Sequence, residues 1–148
     1  MSTYTQILYQ IVFSTKHREP TMVAANRQEL YKYIWGILKN NNCHLYQIGG
    51  VDDHLHIVTH LHPAVALADL VKDVKVASAR HIKTQGLFDD FTAWQEGYAA
   101  FTYSAEAKSS LISYVKNQEE HHRVKTFREE YIELLREHGI EFDEKFLL

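Results

Sequence analysis

The sequence predicts one α+β domain whose elements run β-α-β-β-α-β, with two more helices at the C-terminal end. Three observations lead there. An early segment alternates in polarity with a period of two, two longer segments carry apolar residues at helical spacing, and a pair of β-rich runs flanks a turn-forming stretch. At 148 residues, 45% hydrophobic and 24% charged, the chain has enough apolar material for one core and little room for a second, so residues 1–148 read as a single domain. With 6 Gly, 2 Pro and no repeated period, it excludes disorder, collagen-like and solenoid architectures.

In Gln6 to Ser14, Ile7, Tyr9, Ile11 and Phe13 fall on one face and Leu8, Gln10, Val12 and Ser14 on the other, a strand apolar enough on both sides to be central. From about Ala24 to Asn41, Leu30, Ile34 and Ile37/Leu38 recur at helical spacing, and Asn40-Asn41-Asn42 stops the helix. Cys43 to Gly49 and His54 to His60 form a hairpin around Gly50-Val51-Asp52-Asp53. A helix over about Ala66 to Lys83 turns Leu67, Leu70, Val71, Val74 and Ala77 inward and leaves Lys72, Lys75 and Lys83 on a basic outer face. Gly97 to Tyr103 is a fourth, aromatic-rich strand. Ser104 then caps a helix from Ala105 to about His122, and Thr126 with Glu129 opens a last helix that ends at Gly139. This order is the ferredoxin-like or RRM-like plait, with helices expected on one face of the sheet.

The net charge is -3, but the acids are concentrated. Glu129 to Leu148 carries seven acids and two bases, so 126–148 is an acidic helix and tail, while the rest of the chain is slightly basic. No apolar run approaches the roughly 18 residues of a membrane span, and the N-terminus has no secretory pattern, so a cytoplasmic protein without membrane contact is expected. The lone Cys43 cannot form an internal disulfide.

Two sequence features carry chemistry. In Asp53-His54-Leu55-His56-Ile57-Val58, two histidines one residue apart in a strand leave the same face about 6 to 7 Å apart. Such a pair can share a metal ion or simply decorate an exposed sheet. In Tyr114-Val115-Lys116-Asn117-Gln118, Tyr114 and Gln118 are helical neighbours at i and i+4, beside the apolar stripe of Leu111, Ile112 and Val115. Tyr114 at that edge can pack or can project its hydroxyl into a cleft.

Taken together, these residues resemble the single-tyrosine HUH transposases of small bacterial and archaeal insertion sequences. The likeness runs through Ile11-Val12-Phe13-Ser14-Thr15-Lys16, Gly49-Gly50-Val51-Asp52-Asp53-His54-Leu55-His56, Trp94-Gln95-Glu96-Gly97-Tyr98, Tyr114-Val115-Lys116-Asn117-Gln118-Glu119-Glu120-His121-His122 and His138-Gly139-Ile140-Glu141. The resemblance implies that His54, His56 and Gln118 bind a divalent metal and that Tyr114 is the nucleophile. Imidazole and amide ligands suit Mg²⁺ or Mn²⁺ when phosphate oxygens supply the rest, whereas a structural zinc site would want four nitrogen or sulfur ligands. It further implies cleavage and rejoining of single-stranded DNA at hairpin-marked ends through a 5′-phosphotyrosine, by a homodimer whose subunits share active sites.

Lys72, Lys75, Arg80, Lys83, Lys116 and Arg123 are candidate phosphate contacts on charge alone. His60 lies in strand phase with His54 and His56, while Asp52 and Asp53 read as turn formers. Two alternatives accompany this reading: a domesticated nuclease that processes palindromes with the same chemistry, and a non-catalytic plait binding RNA or single-stranded DNA.

Overall fold

A computed structural model describes residues 2–147. The strands are β1 (Leu8–Ser14), β2 (Leu45–Gly50), β3 (His54–His60) and β4 (Ala99–Tyr103). They form one antiparallel sheet in the order β2-β3-β1-β4, the ferredoxin-like plait. The helices are α1 (Ala24–Asn40), α2 (Leu67–Gln85), α3 (Lys108–Lys116), α4 (Gln118–His121) and α5 (Phe127–Glu137). No described helix is long and apolar enough to cross a membrane.

The polarity of β1 and β3 decides which helices go where. Ile11 pairs with Ile57 and Phe13 with Leu55, and these four side chains join Leu30, Ile34 and Leu38 of α1 and Leu70, Val71, Val74 and Ile82 of α2 in the main core. Period two then sends Leu8, Gln10, Val12, His54, His56 and Val58 to the opposite face. The sequence pattern led to an expectation of helices on one face only, but α3 and α5 cover this second face. Leu111 and Val115 of α3 pack on Leu8 and Val58, while Phe127, Leu134 and Leu135 of α5 pack on Val12, Ala99 and Phe101. A sheet apolar on both faces needs cover on both.

Three local features shape the face covered by α3 and α5. Thr126 and Glu129 form the anticipated capping box, which fixes where α5 starts. The continuous helix expected from Ala105 to His122 is instead interrupted at Asn117, where φ is -98° and ψ 26°, and Ser104 makes no capping bond with its side chain. Gly49 lets α3 approach the sheet: a Cβ there would lie 1.8 Å from the Val115 carbonyl oxygen.

Candidate active site

β3 presents His54 and His56 to the α3/α5 face, and both are fully buried there. The expectation of two histidines projecting freely from the sheet is therefore corrected: Phe127 of α5 stacks on His54 with ring centroids 4.0 Å apart. Each ring is held through Nδ1. His54 Nδ1 lies 2.7 Å from Asp53 Oδ1, and His56 Nδ1 lies 2.6 Å from the amide oxygen of the buried Gln10. Both partners there are acceptors, so the Nδ1 atoms carry the protons and the Nε2 atoms face inward. Asp53, read from sequence as a turn former, thus also orients a histidine, whereas His60 lies at the far end of β3 opposite Leu8.

At the point the two Nε2 atoms face, α3, α4 and α5 bring further groups together. Gln118 Oε1 is 3.2 Å from His54 Nε2, and His122 Nε2 is 3.1 Å from the same amide oxygen. Glu130 Oε1 lies 3.3 Å from His54 Nε2, 3.1 Å from His56 Nε2 and 3.0 Å from His122 Nε2. The second Glu130 oxygen accepts hydrogen bonds from Gln118 Nε2 at 3.0 Å and from the Tyr114 hydroxyl. Tyr114 also meets His56 edge to face, with centroids 5.9 Å apart. The break at Asn117 leaves Tyr114 and Gln118 on one side, as the i,i+4 spacing suggested.

The charges respond to this crowding. Burial works to raise the Glu130 carboxyl, but hydrogen bonds with His122, His54 and His56 outweigh it and hold the group well below the usual carboxylate range. Burial also disfavours charge on both strand histidines. At His54 the hydrogen bonds to Asp53 and Glu130 win and the pKa rises, whereas at His56 burial wins and it falls. Burial, then the Glu130 charge and hydrogen bond, push the Tyr114 phenol far up, so it is protonated in the free protein.

The donor set fits a divalent cation. With both Nδ1 protons committed to outer partners, lone pairs of imidazole, amide and carboxylate converge on one point and repel one another unless a proton or metal lies among them. His54, His122 and Glu130 alone offer ligand atoms all within 4.8 Å of one another.

The structure brings together His54, His56, Gln118 and Tyr114 from one chain. It does not bring the basic residues of α2 to them. Lys72, Lys75, Arg80 and Lys83 belong to the helix on the opposite sheet face, and Lys75 donates to the carbonyl oxygens of Gln95 and Gly97, holding that loop. Lys116 is exposed at the end of α3, beside a groove that includes Gly49 and Gly50. Arg123 lies at a cleft of about 420 Å³ between Val51–Asp53 and His122–Phe127, with Lys125 on the same rim. Sequence reasoning missed Glu130, His122 and Gln10. A signal for Glu130 existed: it sits at i+3 from Phe127, with Leu134 at i+7, inside the apolar stripe of α5.

The sheet therefore carries two co-facial histidines on a central strand, met by a tyrosine of α3 and a glutamine of α4, a donor set able to hold a divalent cation beside a hydroxyl. The chain belongs to the IS200-like transposase family, whose family model, "Transposase IS200 like", matches residues 3–118. It is 23% identical over 118 residues to the ISDra2 transposase TnpA of Deinococcus radiodurans, covering 76% of this chain and 84% of that protein. A crystal structure of a candidate transposase from Deinococcus radiodurans R1 superposes with a TM-score of 0.61 at 23% identity, covering 80% of this chain and 95% of that one. A REP-associated tyrosine transposase bound to a REP hairpin gives 0.55 at 11% identity, covering 78% and 70%. At these identities the solved structures establish the shared fold. The family establishes a transposase.

Proposed function

We propose that this transposase cleaves and rejoins single-stranded DNA at hairpin-marked ends, using Tyr114 as nucleophile and a divalent ion held by His54, His56 and Gln118. The observation that carries the reading is that His54 Nε2 lies 3.2 Å from the Gln118 amide oxygen while the Nε2 atoms of both strand histidines meet one oxygen of Glu130, whose other oxygen accepts from the Tyr114 hydroxyl. A tyrosine transposase of this fold has been seen bound to a REP hairpin, which supports a hairpin ligand here.

When bound, Mg²⁺ or Mn²⁺ supplies Lewis-acid polarisation of the scissile phosphate. The chain does the rest. Asp53 and Gln10 fix the two imidazoles, and Gln118 spans the space between the histidines and Glu130. Tyr114 attacks phosphorus: the Tyr114 O–P bond forms, the P–O3′ bond breaks, the phenol gives up its proton and the leaving 3′ oxygen gains one. The resulting 5′-phosphotyrosine is at the same bond level as the phosphodiester, so a 3′-OH can reverse the step without ATP. The scissile strand approaches through the cleft rimmed by Arg123 and Lys125, where phosphates meet cations.

Tyr114 reaches the histidines of its own chain, so a homodimer, the form the sequence resemblance implies, is not needed to complete the chemistry. A domesticated palindrome nuclease would use the same residues. The passive RNA-binding plait is disfavoured because such proteins stack bases on an open sheet face, and here α3 and α5 cover that face. The test is incubation of hairpin-bearing single-stranded oligonucleotides copied from the DNA flanking the gene with Mg²⁺ or Mn²⁺. Cleavage that EDTA abolishes is expected; equal cleavage in EDTA, or a preference for plain duplex, contradicts the proposal.

A further inference from the structure

Of the seven acids after Arg128, Glu130 is buried, with 2% of its surface exposed, and the other six are exposed. An ionised carboxylate removed from water is costly unless it is compensated from several sides. Five groups of the candidate site surround Glu130: Gln118 and Tyr114 donate to one oxygen, while the Nε2 atoms of His54, His56 and His122 face the other, an arrangement that is favourable only when a proton or a divalent ion is shared among them. Its two oxygens thus touch both the inward histidine nitrogens and the Tyr114 hydroxyl. Glu130 also lies outside residues 3–118, which the family model matches, on a helix whose start is fixed by its own capping box.

We infer that Glu130 of α5 completes the reaction centre, Oε1 joining His54, His56 and Gln118 as a ligand of the divalent ion while Oε2 holds the Tyr114 hydroxyl and positions the nucleophile beside it. A carboxylate that spans metal and nucleophile fixes their separation, and the separation decides how close the phenol oxygen comes to in-line attack. Glu130 also gives the site an anionic ligand, which binds a hard cation better than the neutral imidazoles and amide alone. The acidic C-terminal segment therefore contributes one residue to the reaction centre and the remainder of its charge to solvent.

This inference rests on the proposed metal site, and the experiment separates the two. Mn²⁺ alone is titrated calorimetrically into the full chain without DNA, and adduct formation with the hairpin oligonucleotide is then timed at saturating Mn²⁺. Glu130→Gln keeps the shape and removes the charge. It is expected to weaken Mn²⁺ binding about tenfold or more, and to slow the adduct by a similar factor even at saturation, because the neutral amide no longer holds the hydroxyl in place. A purely structural Glu130 would lower the melting temperature and leave both readouts unchanged in the folded protein, and that result overturns the inference. So does a variant that loses Mn²⁺ affinity but reacts at the wild-type rate once saturated, since Oε2 would then not position Tyr114. If Glu130→Gln melts below the assay temperature, Glu130→Asp keeps the charge one methylene short, and the same two losses are expected. Wild-type protein that takes up no Mn²⁺ contradicts the metal site itself, whatever the variants do.

Discussion

Replacing Gly49 by alanine tests how tightly the site depends on the seating of α3. The added Cβ would lie 1.8 Å from the Val115 carbonyl oxygen and 2.8 Å from its carbonyl carbon. Contact between such atoms needs about 3 Å or more, so α3 must retreat from β2 by about 1 Å. Both atoms that clash are backbone, and no rotamer change relieves them. Overpacking of this kind costs about 1–3 kcal/mol, which lowers the melting temperature of a chain this size by roughly 2–12 °C. Val115 adjoins Tyr114, so the retreat also carries the phenol away from His56 and Glu130. A misplacement of about 1 Å at reacting groups is worth about 10²-fold in rate. Thermal melts and timed adduct formation on hairpin DNA are expected to show both losses. A variant that melts and reacts like wild type would refute the close approach of α3 to the sheet and its role in placing Tyr114.

Other perturbations have distinct signatures. His54→Ala and His56→Ala are expected to abolish metal-dependent cleavage and also to lower stability by about 1–3 kcal/mol, since each ring is fully buried and His54 stacks on Phe127; melts alongside cleavage assays check this. Mixing Tyr114→Phe with His56→Ala protein is expected to restore no cleavage, because one chain supplies both residues to a site; strong complementation would show exchange of the tyrosine between subunits. Lys72→Ala with Lys83→Ala is expected to leave DNA affinity near wild type, whereas Arg123→Ala with Lys125→Ala weakens it and reduces its salt dependence, as fluorescence anisotropy at two ionic strengths would read. Thr126→Ala removes the capping box of α5 and is expected to cost about 0.5–2 kcal/mol in denaturant melts.

The parts of the site written in short-range pattern were legible from the sequence. Period two put His54 and His56 on one face, the i,i+4 rule put Tyr114 beside Gln118, and the capping box marked the start of α5. The parts created by long-range packing were not. Glu130 sits in a run of acids that reads as solvated surface, and only the return of α5 across the sheet buries it. That return also buries two histidines that a strand pattern alone leaves projecting into solvent. Gly49 reads in the sequence only as the end of a strand, because a sequence cannot show that another helix's carbonyl needs its missing side chain. The basic stripe on α2 was visible, but which side of the sheet it occupies depends on the crossover, and the histidines go to the other side.

The most direct measurement is the identity of the residue that carries DNA after reaction in Mn²⁺. Wild-type protein is denatured, digested and its nucleotide-bearing peptide sequenced by mass spectrometry. The expected result is a single modified tyrosine, Tyr114, with no adduct from Tyr114→Phe protein that still binds the hairpin. A nucleotide on Tyr103, whose hydroxyl instead accepts from Gln10 and faces His138, or cleavage that proceeds without any covalent adduct, would contradict Tyr114 as the nucleophile.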